Sequence, residues 1–507
     1  MNFSPFSPCA GPARFDRFGR PLSRRQIVSG LAQGLGGIAL GQLLRAESAK
    51  AATEASGMPI SPAGVGGLPG LPHFAPKAKR IIHLFMSGGP SHLDTFDFKP
   101  YLAKHSGEEL PDSYRKNGRL PGMAGTQAVC QLKESLYPFQ QRGNSGIWMS
   151  DILPNLSKVA DDLCVIRSAY TDSVNHDPAI TMMQTGSGLA GRPSAGAWIE
   201  YGLGRANDDL PAFIVMVSKR GVDQPLSAKL WGNGFLPAQF QGTQFRPSDE
   251  PVLYLKSPPG INREADRRTV DLLSRLHGVR PTSDADPLAA RVDSHLAQYE
   301  MAFRMQRSVP EATDLSAEPD HIFDLYGPDA RKPGSFASNC IQARRLAERG
   351  VRFIQLFHPG WDHHASIRDR FPEIALEIDQ PCAALIQDLK QRDMLKDTLV
   401  IWSGEFGRTP YSQGRSNSES NRTFGRDHHH RCFSLWMAGG GIKPGVTWGE
   451  SCDLGYDVAA DGVHVHDLHA TMLHLLGIDH ERLTYRYQGR DFRLTDTEGK
   501  VVEGILA

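Results

Sequence analysis

Residues 398–409 read Thr-Leu-Val-Ile-Trp-Ser-Gly-Glu-Phe-Gly-Arg-Thr, a β-branched, apolar run that leads into a polar, glycine-containing segment. Two more segments share this layout. The run 351–357 precedes Trp-Asp-His-His at residues 361–364, and Gly-Arg-Asp-His-His-His at residues 425–430 precedes the run 432–437. Apolar runs with carboxylates and imidazoles at their ends are typical of strands in a parallel sheet, where α/β proteins place their ligand sites. The three segments therefore predict an α/β fold with such a site.

The polar clusters in these segments carry side chains that hold metal ions. They combine carboxylates with imidazoles, and the seven cysteines of the chain include no Cys-x-x-Cys pair. Such donors suit a hard-to-borderline divalent ion such as zinc, manganese or iron. One histidine alone is more often an ordinary surface or core residue. Three clusters at equivalent places in one sheet favour a metal site.

Composition narrows the classes of partner. Lys+Arg and Asp+Glu number 56 each, so the chain has no overall field that favours nucleic acid or an anionic membrane. Its 507 residues, 40% of them hydrophobic, are enough for one large domain or two ordinary ones. We therefore expect no nucleic-acid partner.

The N-terminus has the features of an export signal. A twin arginine at residues 24–25 stands before an apolar run rich in Gly and Ala at residues 27–44, and Ala-Lys-Ala at residues 49–51 offers a cleavage site. This pattern is typical of a bacterial twin-arginine (Tat) leader. The alternative is an uncleaved anchor helix, but the run barely reaches the ~20 residues that a membrane span needs.

The leader sets the expected organisation of the chain. We predict a Tat-type signal peptide at residues 1–51, a flexible linker at residues 52–79 and one domain at residues 80–507. The Tat export machinery is then a partner, and no stable membrane span remains after the leader is removed. The expected location is periplasmic or secreted.

The rest of the chain alternates between strand and helix patterns. Residues 81–86 predict a buried strand that runs into Ser-Gly-Gly-Pro-Ser-His-Leu-Asp at residues 87–94, and residues 163–168 predict another. Helical spacing marks residues 179–185, 288–305, 336–349 and 373–392. This alternation predicts a doubly wound, mainly parallel sheet with helices on both faces.

With these motifs in view, the chain resembles a bacterial secreted family, the domain-of-unknown-function 1501 (DUF1501) family, which is placed in the alkaline phosphatase and sulfatase superfamily. The resemblance runs from residue 80 to the C-terminus. Its motifs are residues 88–97, Asp362-x-His364, and residues 405–409, 425–429, 466–471 and 483–487. It implies an alkaline phosphatase/sulfatase-like core that holds one or two divalent metals and a nucleophile that attacks a phosphate or sulfate ester.

The resemblance also implies a ligand set for a divalent ion (zinc, manganese, iron or calcium). The implied ligands are His92, Asp94, Asp362, His364, Glu405, Asp427 and His428. Two places depart from the superfamily. Ser87 stands where the first strand normally ends in an aspartate, so His92 or Asp94 would substitute for it. Gly404-Glu405 replaces the usual Asp-His pair.

The nucleophile position carries a histidine. Sulfatases have Cys or Ser in a C/S-x-P-x-R motif, followed by a helix that ends in Thr-Gly. Counting back from residues 185–186 places His176 at the nucleophile and Ile180 at the arginine, which disfavours a formylglycine sulfatase. The roles open to His176 are nucleophile, general base and metal ligand. Arg408 and Arg426 either clamp an anionic ester or pair with neighbouring carboxylates.

These expectations favour one function among three. The first is an exported metal-dependent hydrolase of phosphate or sulfate esters, with a small-molecule or polysaccharide ester as substrate. The second is a secreted metal-binding protein of the same fold without ester-cleaving activity, which the missing standard nucleophile favours. The third is a metal-dependent isomerase or transferase.

Overall fold

The apolar runs form the middle of a central sheet that has nine strands in the described part of the chain. These strands are β1 (Arg80–Ser87), β4 (Leu163–Tyr170), β5 (Phe213–Val217), β6 (Thr243–Phe245), β7 (Phe353–Pro359), β8 (Thr398–Ser403), β11 (Phe433–Ala438), β12 (Val446–Trp448) and β15 (Val463–His464). Their order is β12-β4-β11-β8-β1-β7-β5-β6, and β15 also pairs with β4. Only β11 runs antiparallel to its neighbours. The sheet is therefore mainly parallel, as predicted.

The computed structural model describes residues 67–115, 120, 122–220, 225–248, 250–253, 255–257, 260–278, 287–413 and 424–507. The predicted leader, with its twin arginine and cleavage site, lies outside the described residues. The chain divides into two compact units, Ala63–Gly260 with Ala297–Ala507, and Met1–Pro62 with Ile261–Leu296. The central sheet belongs to the first of these units.

Helices complete the architecture. They are α1 (Pro100–Lys104), α2 (His176–Thr185), α3 (Ala195–Leu203), α4 (Arg263–Gly278), α5 (Pro287–Thr313), α6 (Asp320–Tyr326), α7 (Phe336–Glu348), α8 (Ile367–Gln391) and α9 (Val465–Leu475). Among the described residues, four two-stranded ribbons accompany the sheet: β2 (Phe139–Arg142) with β3 (Ile147–Ser150), β9 (Gly407–Gln413) with β10 (Gly425–His429), β13 (Glu450–Ser451) with β14 (Val458–Ala460), and β16 (Tyr485–Tyr487) with β17 (Arg490–Phe492).

Both faces of the sheet carry a hydrophobic core. Side chains of successive strand residues point to opposite faces, and in β1 Leu84 belongs to one core while Phe85 belongs to the other. The core around Leu84 is covered by α7 and α8, and the core around Phe85 by α2, α3 and α9. Burial on both faces explains why the central strands are continuous apolar runs rather than alternating ones. The arrangement confirms the prediction of helices on both faces.

Two further features concern the hydropathy of the helices and the state of the cysteines. Within the described ranges, no helix combines the length and the apolar composition needed to cross a membrane. The six cysteines that the structure describes are free thiols, five of them buried.

Glu200, in α3, is a buried acid and gives a testable pH dependence. Burial raises the pKa of Glu200 to about 8, against the opposing influence of the Arg205 charge. The folded chain therefore keeps this proton above the pH where the unfolded chain loses it. The stability that the protonated Glu200 contributes is fully present below pH 4.5, the usual pKa of a glutamate. This contribution is lost as the pH rises towards 8, by up to about 1.4 kcal/mol per pH unit.

Glu200→Gln is expected to flatten this slope. Urea unfolding between pH 5 and pH 8 measures it, with Glu373→Gln, at an exposed position, as the matched control. Equal slopes for Glu200→Gln and the unmutated protein would contradict the assignment.

Candidate metal centre

Four side chains from three parts of the fold meet at the edge of the sheet. Asp362 and His364 follow the end of β7, His428 lies in β10, and His176 is the first residue of α2. Each offers one ligand atom, and these four atoms lie within 4.8 Å of one another. β10 leads directly into β11, which runs antiparallel, so the start of β11 lies at the same edge as the ends of the parallel strands.

The tightest part of this cluster is a triangle of three atoms. Nε2 of His364 lies 2.8 Å from Oδ1 of Asp362, and Nε2 of His428 lies 3.2 Å from the same oxygen. The two Nε2 atoms are 2.9 Å apart. We call this set, formed by Asp362, His364 and His428, the acceptor triangle.

The other ring nitrogens show which atoms of the triangle carry hydrogen. Nδ1 of His428 lies 2.9 Å from the carbonyl oxygen of Val174, and Nδ1 of His364 lies 2.5 Å from Oε1 of Gln413. Both oxygens only accept, so each Nδ1 donates its hydrogen, and in a neutral ring each Nε2 keeps a lone pair. When both rings are neutral, three acceptor atoms face one another with no hydrogen between them. A metal ion at their centre, or a proton on one of the rings, makes this arrangement favourable.

The donor set fits a zinc-like ion. Imidazole nitrogens bind zinc at about 2.0–2.1 Å, which places two tetrahedral ligands roughly 3.3 Å apart. The edges of the acceptor triangle, 2.8 to 3.2 Å, are shorter than this by only a few tenths of an ångström. Calcium prefers six to eight oxygen ligands, so two imidazoles with one carboxylate favour zinc or another borderline metal.

The protonation states inside the triangle suit metal binding. Burial lowers the pKa of His428 to about 3, although a hydrogen bond with Asp362 opposes the shift, so its imidazole stays neutral. Burial alone would raise the pKa of Asp362. Hydrogen bonds with the histidines and the charge of Arg408 instead hold that pKa well below its usual range. A neutral imidazole and an ionised carboxylate are the forms that bind metals.

His176 stands beside the triangle rather than within it. Its Nε2 lies 3.3 Å from Oδ2 of Asp362, the carboxylate oxygen that the triangle does not use. Its Nδ1 lies 2.6 Å from Oε1 of Glu405. Burial alone would lower the pKa of His176, but the hydrogen bonds with Asp362 and Glu405 outweigh it and raise the pKa to about 9.

Arg408 is buried behind Asp362, with 1% of its side chain exposed. It donates to the carbonyl oxygens of Gly88, Gly89 and Arg426 and, at 2.6 Å, to Oδ1 of Asp362. Three backbone carbonyl oxygens thus fix the guanidinium of Arg408, and the guanidinium in turn holds Asp362 in position.

Two more predicted ligands lie next to the triangle without joining it. Asp427 accepts a hydrogen bond from the backbone N–H of Ala124 at 2.5 Å and one from the N–H of His428 at 2.8 Å. Glu405 accepts the backbone N–H of Gly88 and contacts His176. Both carboxylates are therefore engaged by donors of the protein.

Asp94 is held away from the triangle. It pairs with Arg426 at 2.9 Å, and both side chains are fully buried. Of the two roles considered for Arg426, an ester clamp or a partner of a neighbouring carboxylate, this contact corresponds to the second.

His92 belongs to a second group of potential ligands, with Asp97 and Cys432. Each member already has a protein partner. Nε2 of His92 lies 2.8 Å from the carbonyl oxygen of Gly455, and Asp97 pairs with Lys99 at 3.1 Å. The thiol of Cys432 lies 3.3 Å from the carbonyl oxygen of Arg167. The members of this group are therefore already engaged by other groups of the protein.

Two residues that sequence reasoning missed accept the Nδ1 hydrogens of His428 and His364 and so direct the Nε2 atoms of both rings into the triangle. They are Val174, through its backbone carbonyl, and Gln413, through its side-chain amide. A backbone carbonyl leaves no trace in residue type. The only signal for Gln413 is its place as a polar residue at the end of β9.

The chain matches a known protein family over most of its length. A family model described as "Protein of unknown function (DUF1501)" matches residues 78–506. No curated protein matches the chain in sequence.

Several solved structures are similar to the chain at low identity. The PsFucS1 sulfatase from Pseudoalteromonas sp. is 12% identical, with 81% of this chain and 69% of that chain covered and a TM-score of 0.32. The phosphonate monoester hydrolase from Silicibacter pomeroyi is 12% identical (78% and 73% covered, TM-score 0.31). The zinc complex of the C-terminal periplasmic domain of EcEptC from Escherichia coli is 10% identical (80% and 84% covered, TM-score 0.32).

Proposed function

The chain belongs to the DUF1501 family, as its motifs predict, and we propose that it is a metal-dependent hydrolase of phosphate or sulfate esters. The observation that carries the proposal is the acceptor triangle of Asp362, His364 and His428. Three lone-pair atoms within 3.2 Å of one another, each fixed from behind by a protein partner, form a preorganised cation site.

Zinc is the ion that this donor set favours, with three ligands supplied by the triangle. Sites with three protein ligands keep one coordination position open, which is the pattern of catalytic rather than structural zinc. When bound, such an ion supplies positive charge that polarises an ester group and neutralises its oxygens.

Side chains beside the triangle orient the carboxylate of Asp362 and hold a proton for the reaction. Arg408 holds Asp362 from the buried side, so the carboxylate keeps its orientation. His176 holds a proton between Asp362 and Glu405 and is the group placed to give or take a proton. The side chains of Asp362 and His364 are 20% and 23% exposed, so the centre opens to solvent on their side. An ester can approach from there.

The rival function, a metal-binding protein without ester cleavage, has one observation in its favour. The four clustered side chains are carboxylate and imidazole, and this cluster of the described chain contains no hydroxyl or thiol. A hydrolase that relies on these four side chains alone uses water or His176 as the attacking group. The two functions share the metal and differ only in turnover.

One experiment separates these readings. Metal content of the purified protein is measured by plasma mass spectrometry, and the zinc-loaded protein is then assayed with aryl phosphate and aryl sulfate esters. We expect one zinc per chain and cleavage of one ester class. Stoichiometric zinc without cleavage across a broad ester panel would support the metal-binding rival, and absence of bound metal would contradict both.

A further inference from the structure

Glu405 is a predicted metal ligand, but its carboxylate contacts the Gly88 N–H and the ring of His176. We propose that Glu405 is a positioning residue that orients His176 and does not bind the metal. The inference rests on the proposed function, because it assigns how His176 is presented to the metal centre. It changes the role of Glu405 from ligand to support.

The carboxylate of Glu405 is fully buried and held on two sides. Its Oε1 and Oε2 atoms lie 2.9 and 3.2 Å from the backbone nitrogen of Gly88, which donates to them. Oε1 also lies 2.6 Å from Nδ1 of His176. One carboxylate thus joins the end of β8, the residue after β1 and the start of α2.

The geometry of an imidazole ring separates this carboxylate from the metal centre. Nδ1 of His176 faces Glu405, whereas Nε2 faces Oδ2 of Asp362 at 3.3 Å. The two ring nitrogens point in different directions, so the ring stands between Glu405 and the triangle. Glu405 is accordingly absent from the four residues whose ligand atoms converge.

This pairing determines which nitrogen of His176 is available. A charged ring carries hydrogen on both nitrogens. When the ring gives up one proton, Glu405 keeps the hydrogen on Nδ1, and the lone pair forms on Nε2, towards Asp362. Nε2 is buried, and its contact with Asp362, at 3.3 Å, is longer than the contact of Nδ1 with Glu405, at 2.6 Å. The ring of Phe406 lies 5.0 Å from that of His176 and limits its rotation from the side. His176 is therefore fixed in both tautomer and orientation.

The local sequence explains why a glutamate follows a glycine here. A Cβ on Gly404 would lie 2.4 Å from Cδ of Pro90, so the end of β8 passes too close to the β1 loop for a side chain. Gly88 has a positive φ of 120°, and a Cβ there would lie 2.5 Å from the backbone nitrogen of Asp362. The two glycines bring the backbone N–H of Gly88 within reach of Glu405.

Glu405→Gln in the full mature protein tests the proposal. The variant keeps the shape and an acceptor for Gly88 but removes the charge that holds the Nδ1 hydrogen. We expect unchanged zinc stoichiometry and an unchanged KM. We also expect kcat for the cleaved ester to fall by about 10- to 100-fold, as is usual when a residue that orients a metal-site histidine is changed.

A second readout does not depend on turnover. In ¹⁵N-histidine-labelled protein, the two-bond ¹H–¹⁵N pattern of His176, identified by its loss in His176→Gln, reports the tautomer. At a pH where the ring has lost its charge, we expect the Nδ1–H form in the zinc-loaded protein and its loss in Glu405→Gln, with Glu373→Gln, an exposed position, unchanged.

Two results would overturn the proposal. Loss of zinc from Glu405→Gln to the level of a triangle variant would make Glu405 a ligand. If Glu405→Gln changed neither kcat nor the tautomer of His176, Glu405 would have no positioning role. Failure of the proposed function has a different signature, because it shows in the unmutated protein as absent zinc or absent ester cleavage.

Discussion

Asp362→Ala is expected to abolish stoichiometric metal binding and ester cleavage together. Oδ1 of Asp362 is the one atom that contacts both Nε2 atoms of the triangle, and its charge is the only negative charge within it. Two imidazoles alone leave a divalent ion without charge compensation. Activity should therefore fall by more than the about 10- to 100-fold that the loss of an orienting residue costs.

Plasma mass spectrometry and the ester assay measure both effects. Asp324→Ala, at an exposed carboxylate of α6, is the matched control and should retain metal and activity. Because Asp362→Ala also deprives Arg408 of an ionic partner, circular dichroism must show that the variant is folded. A folded Asp362→Ala variant that keeps one metal ion per chain would refute the triangle.

Asp94→Ala is expected to destabilise the fold strongly while sparing the metal centre. Asp94 and Arg426 form a fully buried ion pair, and Asp94 also accepts hydrogen bonds from the Ser91 hydroxyl and the Leu136 N–H. Removing one partner leaves a buried, uncompensated guanidinium. The free energy of unfolding should fall by roughly 3–5 kcal/mol.

Urea unfolding measures this loss, and metal analysis of the folded variant at low temperature completes the test. The exposed pair of Arg486 and Asp491 supplies the control, since Asp491→Ala should change stability by no more than ~0.5 kcal/mol. If Asp94→Ala lost its metal without losing stability, Asp94 would be the ligand that the sequence led us to expect.

The central strands were predictable because burial on both faces requires continuous apolar runs. Strands β1, β7 and β8 occupy the predicted positions to within about two residues, and they lie side by side in the sheet. Helix α7 also matches its predicted range closely. The alternation of strands and helices was enough to predict a mainly parallel sheet.

The surroundings of His428 were not predictable from the same signals. It lies in β10, which pairs with β9 in a ribbon separate from the central sheet. The β11 strand that follows runs antiparallel, and an apolar run does not encode its direction. The histidine still reaches the expected edge, because the start of an antiparallel strand lies beside the ends of parallel ones.

Residue type alone also could not distinguish carboxylates that meet different groups. Asp362 and Glu405 both follow strands, but Asp362 faces the Nε2 atoms of two imidazoles, whereas Glu405 faces the Gly88 N–H and the His176 ring. That difference depends on the direction of single side-chain atoms. The sequence pattern predicts where a carboxylate lies in the fold, but it does not predict which group that carboxylate contacts.

The most direct test of the metal centre is anomalous diffraction at the zinc edge from crystals of the mature protein incubated with zinc. We expect one peak, about 2.0–2.2 Å from Oδ1 of Asp362 and from Nε2 of His364 and His428. A peak at the group of His92, Asp97 and Cys432 alone, or no peak at the triangle, would contradict the account.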